Sequence, residues 1–350
     1  MVKYVSWTSL FERDTGVKVR IVPEANSISS AQLVKEGRML MMSLGKSRYR
    51  DVIEALEDYA VATGGPFHGQ WLWVHSLANS GMFVRADSDI YDIYDIKPGV
   101  RFSVWDDRAS VLRVPLAILD WAQVPHEEAI IVNSGSYDAA VRAVVDGRAD
   151  IFWGFPTSPA IYEASSSPHG IRYIDMNGEE DKEGAARFRE TAPMYVFGQI
   201  QKGVPEARGI WGTQGFNLEV TSQASDPELI YNIVKWLDEN YDEYYKTHDT
   251  NQYMTLDNVV LSASQSYVPL HEGLIRYLKE LGIWTAAHDR RQAENVDLIT
   301  RYVLAYETCL QRARDQNIKI DPTNEAWINL WENYKEELEL PECRMWNGLE

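Results

Sequence analysis

Short apolar runs of strand length alternate with amphipathic stretches of helical spacing along most of this chain. Residues 17–23 (VKVRIVP) alternate as a half-buried strand does. Residues 26–37 open on the cap-type side chains Asn26, Ser27, Ser29 and Ser30 and predict a helix stopped at Gly37. The run 39–44 predicts a buried strand, 51–61 a helix, and 71–77 and 81–85 two more strands. Trp71 and Trp73 alternate within one of them and are expected in the core. Residues 100–105, 129–132, 151–153 and 171–174 are strand-like, with helical spacing over 111–122 and 136–147 between them. This pattern predicts an α/β fold with largely parallel sheets, since parallel neighbours need a crossover long enough to hold a helix.

The second half keeps helical spacing but loses strands. Residues 216–221 are strand-like, and Ser225-Asp226-Pro227-Glu228 then opens a helix with a cap, an early proline and an early acid. Residues 269–282 (PLHEGLIRYLKELG) predict a helix with Pro269 in its first turn and Gly282 just past its last. Leu270, Leu274, Tyr277, Leu278 and Leu281 share its apolar face, and His271 is expected to cap or brace it. Two further helices, through Val296–Ala313 and Trp327–Leu338 spacings, predict outer packing on one lobe.

At 350 residues, two lobes are expected. The net charge of −18 argues against a nucleic-acid partner, which would need a basic face, and against binding to anionic lipid. For an anionic solute the overall field is mildly repulsive, so a site would need local positive groups. There is no apolar run long enough to span a membrane, so direct insertion is not expected. Residues 1–7 lack a basic-then-apolar leader, which fits either a removed leader or a cytoplasmic protein. Cys309 and Cys343 lack zinc-ligand spacing; they could pair in an oxidising compartment or remain free thiols. The histidines show no HxH or HExxH grouping, and P-loop, GxSxG and GxGxxG patterns are missing from any strand–turn–helix context. No catalytic residue, metal or cofactor is expected.

The spelling of several segments adds a resemblance. The run Pro269-Leu270-His271, then Gly273, Ile275-Arg276-Tyr277, closing on Glu280 and Gly282, resembles the late motif of the TAXI-type solute receptors. These are the extracytoplasmic binding proteins of TRAP transporters. Residues 25–30 up to Gly37 resemble the family's Ser-x-x-Asn loop, with Ser27 matching the serine and Ser30 replacing the asparagine. Phe83-Val84-Arg85-Ala86-Asp87-Ser88 and Asp95-Ile96-Lys97-Pro98-Gly99 resemble its crossing into the second lobe. Residues 137–156, ending Ile151-Phe152-Trp153-Gly154-Phe155-Pro156, resemble its Gly-x-Pro segment, and residues 226–231 its helix before the late motif. The match runs from about residue 15 to about residue 285. Three departures stand out: the family's opening strand and Gly-Gly-x-Tyr-Tyr loop have no counterpart, its Gly-Ser-Gly-Thr loop is here Arg108-Ala109-Ser110-Val111, and residues 285–350 extend past its usual end.

The resemblance implies a bilobal type II periplasmic-binding-protein fold with extra C-terminal helices, closing about a two-strand hinge on ligand in the cleft. Lobe I would comprise residues 1–84 and 212–350, including the helical extension 285–350, and lobe II residues 85–211. The implied function is a periplasmic receptor, its leader not part of this chain, that captures a small organic acid and delivers it to a TRAP membrane subunit. Expected ligand contacts are Asn26, Ser27 and Ser30 at one loop-to-helix junction and Trp105, Arg108 and Ser110 at another, where unpaired N–H groups point at an acid. Arg108 could fork to a carboxylate or pair with Asp106 or Asp107. Trp153, Gly154, Phe155 and Trp211 are expected near them; Trp105, Trp153 and Trp211 could stack on an apolar or aromatic body, or pack in the core and hinge instead. The alternatives are an enzyme on the same bilobal scaffold, like the pyrimidine-precursor synthases, and a ligand-sensing module. An enzyme would need a catalytic lysine or histidine and a cysteine cluster for metal, and both cysteines lie in the tail.

Overall fold

A computed structural model describes residues 2–23, 27–346 and 348–349. The fold is α/β, and the chain divides into two compact units: residues 1–77 with 216–350, and residues 78–215. The chain passes from one to the other within two long strands. The sequence-based limits, at 84/85 and 211/212, fall within the same two strands.

The first unit opens with α1 (Val2–Thr15), α2 (Ser27–Lys35), β1 (Met41–Gly45) and α3 (Lys46–Ile53), and β2 (Gly69–Arg85) then leaves it. Residues 71–77 and 81–85 were expected as separate strands; they form one strand of 17 residues, with the polar segment between them staying in extended pairing. Trp71 and Trp73 are fully buried, and their indole N–H groups donate to the carbonyls of Val268 (3.1 Å) and Met254 (3.0 Å). The helix expected over 51–61 instead begins at Lys46 and stops at Ile53, before Ala55 and Glu57 take left-handed backbone angles. Residues 17–23 form no strand: they line a cavity beside β1 and hydrogen-bond to no strand.

The second unit holds β3 (Arg101–Val104), α4 (Ala109–Ala122), β4 (Ile130–Asn133), α5 (Tyr137–Val145), β5 (Ile151–Gly154), α6 (Pro159–Ser165), β6 (Ile171–Ile174), α7 (Lys182–Thr191) and β7 (Val196–Gln199), and β8 (Trp211–Ser222) leads out of it. Here β4, β3 and β5 are parallel, whereas β2 joins β5 and β6 antiparallel and β7 joins β8 antiparallel. In the first unit β1 also pairs with β8 antiparallel. The expectation of largely parallel sheets therefore fails outside the β4–β3–β5 run, because the two crossing strands enter the ladders in the opposite sense. Pleating splits the core of the second unit. Phe102, Val104, Ile151 and Trp153 face α4 and α7, whereas Phe152 packs with α5 and α6.

The chain completes the first unit with α8 (Pro227–Glu239), α9 (Tyr241–Tyr244), α10 (Leu256–Gln265), α11 (Glu272–Glu280), α12 (Ala286–Asp315) and α13 (Glu325–Glu337). Pro269 lies outside α11: its carbonyl accepts from Trp71 N–H (2.9 Å), and Leu270 bridges to Trp71 in parallel. The residues before the helix thus extend the sheet, and His271 is the cap, its Nδ1 accepting from Gly273 N–H (3.1 Å). At the other end Gly282 takes φ +72°, with its N–H on Lys279 O and Ile283 N–H on Leu278 O, a Schellman closure. The two tail helices bind the turn after α3. Trp327 and Trp331 donate to the carbonyls of Ala60 (2.7 Å) and Glu54 (2.9 Å), and Tyr306 to that of Val61 (3.0 Å). Cys309 and Cys343 are free, buried thiols; burial pushes Cys309 up to about 11 and Cys343 well above its ordinary value.

Candidate ligand-binding site

In the second unit the parallel strands β3 and β5 end side by side, and the chain turns there into α4 and α6. Trp105 follows β3, half-buried, and its ring lies 5.5 Å from Tyr137, the first residue of α5. Tyr137 stacks on Phe155 (6.2 Å between centroids, 19° between planes), and Phe155 in turn meets Trp153 at 6.2 Å. The Tyr137 hydroxyl accepts from Phe155 N–H (2.8 Å), and burial raises its pKa. Gly154 makes this possible: a Cβ there would lie 2.5 Å from the Tyr137 oxygen and 2.4 Å from the Phe152 ring. Phe155 is 42% exposed, so the cluster presents an aromatic face rather than a sealed core.

Beside this face begins α4, with Arg108 at its N-cap and no cap hydrogen bond from the Arg108 side chain. Asp106 folds back on Arg108, accepting from its N–H (2.9 Å) and its Nε (2.8 Å). These bonds hold the Asp106 carboxyl below its ordinary range. Of the two roles considered for Arg108, the pairing with Asp106 is therefore present. Ser110 lies in the first turn of α4. The fold thus brings Trp105, Arg108, Ser110, Trp153, Gly154 and Phe155 to one strand-end cluster. Trp211 is placed differently: it opens β8, pairs with Gln199 and donates its N–H to Asp175 (2.6 Å). Its strand neighbour Thr213 is the residue that meets this group, accepting from Trp153 Nε1 (3.2 Å).

In the first unit, Asn26 lies outside the described residues. Ser27 begins α2 and shares a hydrogen bond with the Tyr59 hydroxyl. Ser30 lines a cavity of about 650 Å³ bounded by α1, residues 17–23 and β1, with Trp7, Phe11, Ile21 and Met41 in its wall. Tyr4 also lines it and donates to Glu219 (3.1 Å), a fully buried carboxylate that pairs on its other oxygen with His75. The Glu219 carboxylate and burial together push the Tyr4 hydroxyl well above its ordinary pKa, burial being the larger cause. Lys18 and Arg20 also line this cavity.

Two residues went unread as candidates in the sequence. Tyr137 was read within a helix and within the family-like segment 137–156 but given no ligand role; it lies four residues past the end of β4. Lys46 followed a short apolar run and gave no pattern of its own. Among the described residues no group of histidine, cysteine, aspartate and glutamate is arranged to hold a metal ion. No helix among them is long and apolar enough to cross a membrane.

The chain belongs to the NMT1-like family, whose model matches residues 7–282. No curated protein matches it. Among solved structures it is similar to the periplasmic aliphatic sulphonate binding protein SsuA from Escherichia coli, at 13% identity and TM-score 0.45, over 99% of this chain and 89% of that one. It is also similar to a putative sulfonate ABC transporter binding protein from Methylobacillus flagellatus KT, at 14% identity and TM-score 0.40, over 97% and 89%. A probable amino-acid ABC transporter extracellular-binding protein from Bacillus subtilis matches at 12% identity and TM-score 0.41, over 72% and 86%.

Proposed function

We propose that this protein is an extracytoplasmic solute receptor that captures a small organic anion, a carboxylate with an apolar or aromatic body, and delivers it to a membrane transporter of the TRAP type. The observation that carries the reading is the start of α4 beside the exposed face of Trp105, Tyr137 and Phe155. The first-turn N–H groups suit an acid, and the rings suit the body attached to it. Arg108 adds positive charge at the same end; a ligand carboxylate would compete with Asp106 for its guanidinium. The TAXI-like spelling of residues 269–282 supports the TRAP partner.

A thermal-shift panel of succinate, glutamate, benzoate and phenylacetate tests the reading, because a ligand that binds only the folded chain raises its melting temperature. At least one acid should stabilise the protein, the aromatic acids most. Arg108→Ala should weaken that ligand by about tenfold, the worth of one charge-assisted hydrogen bond. A panel in which no acid moves the melting temperature would overturn the reading.

A further inference from the structure

The strand β1 ends at Gly45, and α3 starts at the next residue, Lys46. Gly45 is the N-cap, extended at φ −70° and ψ 149°, and no side chain caps the helix. Its lack of a Cβ lets Asn217 approach: a Cβ would lie 2.9 Å from the Asn217 Oδ1. The Asn217 amide donates to Ser76 (2.9 Å), and the Tyr267 hydroxyl donates to the Lys46 carbonyl (2.6 Å), so the backbone at this junction is pinned.

Three cations lie on α3, and two are neutralised. Arg50 pairs with Glu54 (2.9 Å) and Glu342 (3.2 Å), and Arg48 with Asp51 (3.3 Å). The third is different. Lys46 is 4% exposed, and its Nζ has no hydrogen-bond partner among the described residues. Its neighbour is the Phe216 ring, 5.8 Å away at the centroid. No acid stands in the first turn of α3, and no charged group from β8 or from the residues around Tyr267 enters the balance at Nζ. Burial alone pushes the amine down to about 7.

An amine buried without an acceptor destabilises a fold, and a methionine would fill the same space without that penalty. Local rules broken in this way mark functional positions. The geometry says what the function is. Side chains on a helix lean toward its N-terminus, so Nζ and the first-turn N–H groups converge on one end. That end already favours negative charge through the aligned peptide dipoles.

We propose that Lys46 and the uncapped N-terminus of α3 form an anion-binding subsite of the first unit, which takes the acidic group of a small organic oxyanion. A carboxylate or a sulfonate has the several acceptor oxygens needed to use both the ammonium and the backbone donors. Binding near neutral pH would bring a proton onto Lys46, because the arriving anion restores the charged form. The residues named for the subsite all belong to the first unit; which solute carries the acid rests on the receptor reading.

Nitrogen-15 NMR of the lysine amines, with the Lys46 signal identified by its loss in Lys46→Arg, tests this with sulfate and succinate as probes. Saturating either probe should raise the Lys46 pKa by at least about one unit, a tenfold preference of the anion for the protonated protein. Lys46→Met should melt higher than the parent chain without anion, yet bind the same probe at least about tenfold more weakly. A Lys46 pKa that moves with neither probe overturns the subsite, as does a Lys46→Met chain that keeps full affinity. If Arg108→Ala weakens succinate and Lys46→Met does not, the receptor reading survives and the subsite falls. The reverse pattern retains the subsite and removes α4 from ligand binding.

Discussion

A lysine held at 4% exposure without an acceptor leaves a trace in the pH dependence of stability. Its folded value lies near 7 and its ordinary value at 10.5, so between them the unfolded chain binds the extra proton. The charged amine therefore destabilises the fold in full below about 7, and the penalty fades as pH rises toward 10.5. At about 1.4 kcal/mol per unit, this amounts to a few kcal/mol. The stability gap between Lys46→Met and the parent chain, read from urea midpoints, should be largest at or below neutral pH and should close in alkali. His271 acts on the acid side. It is fully buried, and burial holds it below 6.5, so stability is lost as pH falls through and below 6.5. Asparagine is also a good N-cap. His271→Asn should keep the α11 cap and flatten that acid-side loss, as measured by melting temperature against pH.

Elements were legible where their own residues decide them. The cap, the closing glycine and the buried stripe of Leu274, Tyr277 and Leu278 in α11 could be read, although Leu281, expected on that face, is 41% exposed; the reason for Gly273 could not. A Cβ there would lie 2.6 Å from Tyr231 N and 2.7 Å from Pro227 O, backbone atoms of α8 that cannot move aside. Gly273→Ala should therefore force α11 off α8 and lower the unfolding free energy by about 1–3 kcal/mol, despite the better helix propensity of alanine. A urea midpoint at or above that of the parent would refute the close packing. Residues 17–23 show the opposite failure. Their alternation is genuine, but a strand exists only with a partner, and in the structure they border a cavity. The candidate site divides in the same way. Its loop-to-helix junctions were readable from strand ends and caps, whereas Tyr137 and Lys46 became visible only when β3, β5 and β1 set what lies beside them.

At the scale of the molecule, the tail is part of the first unit. Trp327 and Trp331 are fully buried, and their indole groups satisfy the carbonyls of Ala60 and Glu54, in the turn where the helix expected over 51–61 breaks. Trp327→Ala should cost about 3–5 kcal/mol by chemical denaturation, from the cavity left behind plus an orphaned carbonyl. A value under about 1 kcal/mol would mean that the tail is only loosely attached. Cys309 and Cys343 were left open by their spacing. Both remain buried thiols, raised by desolvation, so a thiol reagent should label them only after unfolding.

The local matters were legible in the chain itself: the α/β alternation, most helices, some of their caps, and the tail helices. These follow from periodicity and backbone preference, which act over a few residues. Tertiary structure alone decided the sense of the strand pairings, the fate of residues 17–23, the aromatic face around Tyr137 and the isolation of Lys46. Each depends on which distant segment supplies or withholds a hydrogen bond, a ring or a counter-charge, and no local pattern carries that information.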